Sequence, residues 1–283
     1  MITEPDRIRE LFDGLSEHIS EECSVFMVGG GAMMTYRLKS ATKDIDIIVE
    51  DRTVFDRMEE ALLEIGFEPK IPDSIYGHLN ISNIYIKDDY RIDMFSERIC
   101  GKLSLSKKMI DRSHLHSEHG KLRLYVCSLE DILLLKSITD REGDYDDCRK
   151  ICRHDIDWDS FFDEMVSQSQ GENEVWISYI SDRLTALSEA GFFIPILGSV
   201  HRMAEEYLER WSESLLRRQT SGVSEKRARI IRSSCKGCHE CVELCPSEAI
   251  SFEDGGACID PDKCTGCGSC VTICRFDAII LWT

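Results

Sequence analysis

The feature that most constrains this chain is a pair of identical cysteine runs near its C-terminus. The first run has the spacing C-x-x-C-x-x-C-x-x-x-C and comprises Cys235, Cys238, Cys241 and Cys245. The same spacing returns 29 positions later at Cys264, Cys267, Cys270 and Cys274. The repeat continues past the cysteines, because Ala249-Ile250 corresponds to Ala278-Ile279. So many thiols at this spacing predict a small domain organised by a bound cofactor in a reducing compartment.

This segment resembles bacterial-type two-[4Fe–4S] ferredoxins over roughly residues 233–283. Pro246 follows the first run as in those proteins, whereas the second run ends Cys274-Arg275 without a proline. In two-cluster ferredoxins the fourth cysteine of each run ligates the cluster of the other run. The resemblance therefore implies one cluster on Cys235, Cys238, Cys241 and Cys274. It implies a second cluster on Cys264, Cys267, Cys270 and Cys245.

The cysteines could serve two other purposes. A pair of zinc sites is one, although zinc sites usually join two C-x-x-C knuckles across a longer gap. A disulfide framework is the other, and it would require export from the cytoplasm. The N-terminal residues show no secretory pattern, so we expect a cytoplasmic protein with reduced thiols.

Composition narrows the class of protein further. A length of 283 residues suits about two domains, and the hydrophobic fraction of 42% is ordinary for a globular core. No apolar stretch approaches the length of a membrane span, so no membrane partner is expected. The net charge of −18 argues against broad, nonspecific affinity for nucleic acids. Residues 217–232 nevertheless carry six basic side chains against Glu225 alone, which fits a solvated linker or a local contact with nucleic acid or a partner.

The hydrophobic pattern predicts a mixed α/β fold followed by helices. Helices are expected at 4–22, 32–39 and 53–65, with strands at 23–28, 44–50, 79–87, 90–96 and 122–127. The HLHSEH segment at 114–119 reads as a polar loop, and four further helices follow between 144 and 218. We predict a mixed-sheet α/β domain at 1–155, a helical extension at 156–219, a basic linker at 220–232 and a small α+β ferredoxin-like domain at 233–283.

Residues 28–49 and 93 carry the most informative chemistry of the N-terminal domain. Asp44 and Asp46 are two apart on a predicted strand, so their carboxylates project from one face. Asp93 offers a third carboxylate on a later strand that could pair alongside. Mg²⁺ prefers such oxygen ligands, and three convergent carboxylates can hold two ions that support a phosphoryl displacement.

Three glycines separate the strand at 23–28 from the following helix. Gly29, Gly30 and Gly31 would let backbone N–H groups approach phosphate oxygens at the helix N-terminus. A triple-glycine turn alone also fits an ordinary tight turn, and a lone D-x-D also fits surface decoration. Here the features occur in a fixed order: a strand, GGG, a helix, T-x-D-x-D, a strand and a third aspartate. This order is far more specific than either the glycine turn or the D-x-D alone.

That order resembles the DNA polymerase β-type nucleotidyltransferase superfamily over roughly residues 5–155, and most closely its small branch that includes abortive-infection toxins. The resemblance implies that Asp44, Asp46 and Asp93 bind Mg²⁺ or Mn²⁺, with Asp93 also assisting deprotonation of the acceptor. It implies nucleotide contacts from a further set, namely Gly29, Gly30, Gly31, Thr42 and Lys136. The sequence departs from the family pattern at Gly143, where a lysine is usual, and at Ser40, where many members have arginine.

The sequence therefore predicts a metal-dependent nucleotidyltransferase that moves a nucleoside monophosphate from an NTP to an acceptor such as RNA or protein. The iron–sulfur domain would sense redox state, organise structure or contact a partner, including a redox partner protein. One alternative is an electron-transfer protein that carries an inactive nucleotidyltransferase-like domain. Another is a non-catalytic nucleotide-binding regulator.

Overall fold

The computed structural model describes residues 5–282 except 71–82, 97–98, 100–102, 140, 170–173, 221–226, 233, 236, 254, 275 and 277. The chain divides into two compact units, Met1–Tyr207 and Leu208–Thr283. Within the part of the chain that the structure describes, no helix combines the length and apolar character needed to cross a bilayer.

The first unit alternates strands and helices and then becomes helical. Its strands are β1 (Cys23–Val28), β2 (Ile45–Val49), β3 (Glu68–Lys70), β4 (Asn83–Lys87), β5 (Tyr90–Ser96), β6 (His114–His119) and β7 (Leu122–Val126). Its helices are α1 (Pro5–Ser16), α2 (Gly29–Thr35), α3 (Arg52–Glu64), α4 (Lys107–Arg112), α5 (Leu129–Ser137), α6 (Glu142–Ile151), α7 (Trp158–Gln168) and α8 (Trp176–Glu189). Helix α9 (Leu197–Thr220) follows these and contains the division between the two units.

The strands form one seven-stranded sheet in the order β3-β4-β5-β2-β1-β7-β6. The pairs β1–β7 and β2–β5 are parallel, and the remaining pairs are antiparallel. Consecutive residues of central strand β1, such as Val25, Phe26 and Met27, are all buried, so both faces of the sheet are covered. This arrangement confirms the predicted mixed-sheet α/β class.

Local signals in the sequence account for several helix ends. The Asp51 carboxylate accepts a hydrogen bond from the Val54 amide at 2.9 Å and caps α3. Gly66, whose φ is +90°, follows the end of that helix. Ser128 caps α5 by accepting a hydrogen bond from the Asp131 amide at 3.3 Å.

Two local predictions for this unit were wrong. The HLHSEH segment is strand β6, an edge strand that pairs with β7 through a turn at Gly120, whose φ is +58°. An edge strand meets solvent along its length, so it lacks the apolar alternation that would have identified it. Helix α2 begins at Gly29 instead of residue 32, because the three glycines form its first turn. The N-terminal part of the strand predicted at 79–87 lies outside the described residues.

The second unit contains two short hairpin-like sheets around its cysteines. Its elements are β8 (Arg227–Ile230), α10 (Glu240–Glu243), β9 (Ile250–Glu253), β10 (Gly256–Ile259), α11 (Ser269–Ile273) and β11 (Ile279–Trp282). Strand β8 pairs with β11, and β9 pairs with β10, both antiparallel. This corrects the predicted linker at 220–232, since Arg227–Ile230 belong to a sheet in which Ala228 is buried. Residues 221–226 of that predicted linker lie outside the described residues.

Candidate functional sites

The sheet brings two of the predicted carboxylates into register. Strands β2 and β5 are parallel neighbours, and Asp46 lies directly opposite Asp93. Asp44 immediately precedes β2, which begins at Ile45. Asp93 is buried, with 3% of its surface exposed, and Asp46 is partly buried. The fold thus places three acidic side chains at one end of two adjacent strands.

These carboxylates carry an excess of negative charge. Burial raises the pKa of Asp46 well above its ordinary value, and the charges of Asp44 and Asp93 raise that pKa further. Burial is also the main cause that raises the pKa of Asp93, with Asp44 adding to it. Lys136 and Arg141 act in the opposite direction on Asp46. A divalent cation would relieve this repulsion, so the oxygen donors present fit Mg²⁺ or Mn²⁺.

Arg91 already occupies both oxygens of the third carboxylate. Its Nε donates to Asp93 Oδ1 at 2.6 Å and its Nη2 donates to Asp93 Oδ2 at 2.7 Å. Among the residues that the structure describes, no three His, Cys, Asp or Glu side chains are positioned to hold a single metal ion. A divalent ion on Asp93 would therefore share these carboxylate oxygens with the guanidinium or displace it.

The glycines of α2 allow close approach to the aspartates. Gly29 has a φ of +63°, and a Cβ there would collide with Oδ2 of Asp46. A Cβ on Gly30 would collide with Oγ1 of Thr42, which donates to the carbonyl oxygen of Asp44 at 2.8 Å. Gly31 packs on Met27, whose sulfur lies 3.0 Å from the corresponding Cβ position. Thr42, predicted to bind nucleotide, thus uses its hydroxyl to position Asp44.

We expect Gly29→Ala to destabilise the protein by roughly 1–3 kcal/mol, since alanine is strained at positive φ and its methyl group would push Asp46 aside. Urea denaturation measures the loss. Gly14→Ala is the matched control, because Gly14 lies within α1 and a Cβ there meets no atom within 4 Å. An equal response of the two variants would contradict the close approach at Gly29.

Lys136 lies in a buried ion-pair network, which differs from its predicted role as a triphosphate ligand. Its Nζ is 2.7 Å from Asp144 and 2.9 Å from Asp147, and 8% of the residue is exposed. Lys39 also pairs with Asp147, at 2.7 Å, and keeps 28% of its side chain exposed. Its Nζ lies 4.0 Å from the Cβ position of Gly30. Lys39 is therefore more accessible than Lys136 and lies beside the glycine turn. In the sequence, only the presence of a basic residue close to the T-x-D-x-D motif pointed to Lys39.

The second unit contains two cysteine-lined cavities. The cysteines of the first cavity are Cys235, Cys238, Cys241 and Cys274. Those of the second cavity are Cys245, Cys264, Cys267 and Cys270. Each cavity thus takes three cysteines from one run and the fourth from the other, which is the grouping that the resemblance implied.

The surroundings of the sulfurs suit iron–sulfur clusters. The Ala249 amide donates to Cys245 Sγ at 3.2 Å, and the Ala278 amide donates to Cys274 Sγ at 3.3 Å. These alanines are equivalent in the 29-residue repeat. Such N–H donors stabilise negative charge on thiolate ligands and tune cluster potential. Four thiols around each cavity match the donor set of a [4Fe–4S] cluster.

Two family models match the chain. Residues 6–179 match a family model described as "Nucleotidyltransferase of unknown function (DUF6036)", and this match covers more than half of the chain. It extends past the predicted boundary at 155 and into α8. Residues 234–278 match a model described as "4Fe-4S dicluster domain". No curated protein matches the chain.

Proposed function

The chain belongs to the family of nucleotidyltransferases of unknown function (DUF6036), and from this premise we propose that its first unit transfers a nucleoside monophosphate from an NTP to an acceptor such as RNA or protein. The observation that carries this proposal is the meeting of Asp44, Asp46 and Asp93 across two parallel strands. We assign the unit to the DNA polymerase β-type superfamily on the same carboxylates and on the glycine turn beside them.

In the proposed reaction an acceptor oxygen attacks the α-phosphorus of the NTP. The bond from that phosphorus to the oxygen bridging the α- and β-phosphates breaks, and pyrophosphate leaves with the bonding electrons. Asp93 accepts the acceptor's proton, a role that its burial favours by raising its pKa. The three aspartates would hold Mg²⁺ or Mn²⁺ once their side chains turn toward the ion, and the bound ion would neutralise phosphate charge.

The side chains beside the carboxylates suit a triphosphate. Three basic side chains form a cluster around two carboxylates: Lys39 pairs with Asp147, Arg141 pairs with Asp144, and Lys136 pairs with both. Lys136 and Arg141 also act electrostatically on Asp46, so this basic cluster lies next to the acidic one. We propose that the phosphates of an NTP lie toward Lys39 and Gly30 while the aspartates face the α-phosphate. The protein would then bind the substrate mainly by positioning opposite charges.

The test is a transfer screen on anaerobically purified protein with α-labelled NTPs, Mg²⁺ or Mn²⁺, and RNA or protein acceptors. We expect label to reach an acceptor with wild-type protein and not with Asp44→Ala. Failure of both proteins under all these conditions would contradict the proposal. In that case, absence of NTP binding by titration calorimetry together with reversible cluster reduction would favour the electron carrier. Measuring transfer by reduced and by oxidised protein in the same screen tests whether the iron–sulfur domain regulates transfer.

A further inference from the structure

Arg91 is a cation paired with the third of these carboxylates, Asp93. It makes two short hydrogen bonds to Asp93, and 27% of its side chain remains exposed. The hydrogen bonds to Asp93 are the largest cause that raises the pKa of Arg91, and the charges of Asp44 and Asp46 add to it. The guanidinium thus interacts with all three acidic groups that would otherwise repel one another.

The two hydrogen bonds from Arg91 to Asp93 oppose the binding of a metal ion at that carboxylate. Arg91 donates to both Asp93 oxygens, so a divalent ion that approaches either oxygen meets a carboxylate already neutralised by a positive charge, which opposes its binding. A guanidinium fork binds phosphate as readily as carboxylate. When a metal ion takes Asp93, the released Arg91 therefore lies next to the expected position of the substrate's phosphates.

We propose that Arg91 is an exchangeable counter-ion, which holds Asp93 while no divalent ion is bound and passes to a substrate phosphate when a divalent ion replaces it. The inference rests on the proposed function, since it concerns the same carboxylates. Arg91 is a positioning residue for Asp93 in the first state and a phosphate ligand in the second. Binding of the divalent ion and binding of the triphosphate are thereby coupled. Each ligand must change the affinity for the other by the same factor.

The first test measures binding of Mn²⁺ alone at pH 8, from the electron paramagnetic resonance signal of free Mn²⁺. We expect Arg91→Gln to bind Mn²⁺ about tenfold more tightly than wild type, because a positive charge beside the ligands is removed. Arg91→Lys, which keeps the charge but loses the two-point contact, should fall between them and serves if the glutamine variant does not fold. Arg7→Gln is the matched control, because the half-buried Arg7 also donates two hydrogen bonds to one carboxylate, that of the exposed Asp89, through Nη1 and Nη2.

The second test measures binding of inorganic triphosphate in the presence of saturating Mn²⁺. Here we expect Arg91→Gln to bind about tenfold more weakly than wild type, since a charged phosphate contact is lost. A purely structural Arg91 would not move the two affinities in opposite directions. Unchanged Mn²⁺ affinity in both folded Arg91 variants would overturn the inference, even if nucleotidyl transfer is found. Conversely, tighter Mn²⁺ binding without any transfer would support the inference while the proposed function fails.

Discussion

The Asp46→Asn variant is expected to unfold at a higher temperature than wild type in metal-free buffer, while losing nucleotidyl transfer by about a hundredfold or more. The stability gain follows from the raised pKa of Asp46, which burial and the charges of Asp44 and Asp93 produce. A carboxyl whose pKa is raised by folding binds more protons in the native state, so stability falls as pH rises through the window above its ordinary pKa. At neutral pH the charge on Asp46 therefore lowers the stability of the wild-type protein. The Asp46→Asn variant has no ionisable group at this position and does not lose that stability. A gain of about 1 kcal/mol would raise the melting temperature by roughly 2–4 °C for a unit of this size.

Three comparisons make this prediction specific. The difference in melting temperature should shrink as pH falls through about 4 and vanish well below it, where Asp46 is protonated in both the folded and the unfolded state. Mg²⁺ should raise the melting temperature of wild type but not of Asp46→Asn, since only the former has the full ligand set. Asp56→Asn, which alters an exposed aspartate paired with Arg52, should leave stability nearly unchanged. An Asp46→Asn protein less stable than wild type at neutral pH would show that this carboxylate is not electrostatically strained.

The acidic site was foreseeable because its signals are local. The D-x-D spacing puts Asp44 and Asp46 beside each other, and the apolar pattern places both Asp46 and Asp93 on strands. Pairing of β2 with β5, although not deducible from spacing alone, was a reasonable expectation for a compact sheet. The resemblance to a known superfamily supplied the rest of the assignment.

The cations around that site could not be assigned in the same way. Lys136 and Lys39 both meet Asp147, from positions 11 and 108 residues away along the chain. A sequence shows that a lysine is present but not which carboxylate neutralises it, because such pairs depend on packing of distant elements. Arg91 could not be assigned for the same reason. Its partner Asp93 is only two residues away, but the sequence does not show whether the Arg91 side chain contacts that carboxylate or faces solvent. Strand β6 and strand β8 were missed for a different reason, since their polar or basic residues obscure the strand pattern.

The cysteine grouping was predicted from repeat and resemblance together, and it yields the other large effect. Cys235→Ser/Cys274→Ser removes two ligands from one cavity, so we expect the protein to keep one cluster, with about four iron atoms per chain. Cys235→Ser/Cys245→Ser removes one ligand from each cavity, so we expect both clusters to be lost or severely depleted. If each run instead held its own cluster, the two double variants would exchange these outcomes. Iron and sulfide analysis after anaerobic purification, with the visible charge-transfer absorption, measures the difference.

Cys258→Ser provides the control for this pair of variants, because Cys258 does not line either cavity and its sulfur accepts from Arg232 at 2.8 Å. We expect it to retain both clusters. Anaerobic cluster reconstitution of each double variant separates a missing ligand from slow cluster assembly, since only the latter is repaired. Equal iron content in the two double variants, with Cys258→Ser fully loaded, would contradict the crossed grouping. The two double variants share Cys235→Ser and differ only in whether Cys274 or Cys245 is replaced, so the comparison isolates the crossing itself.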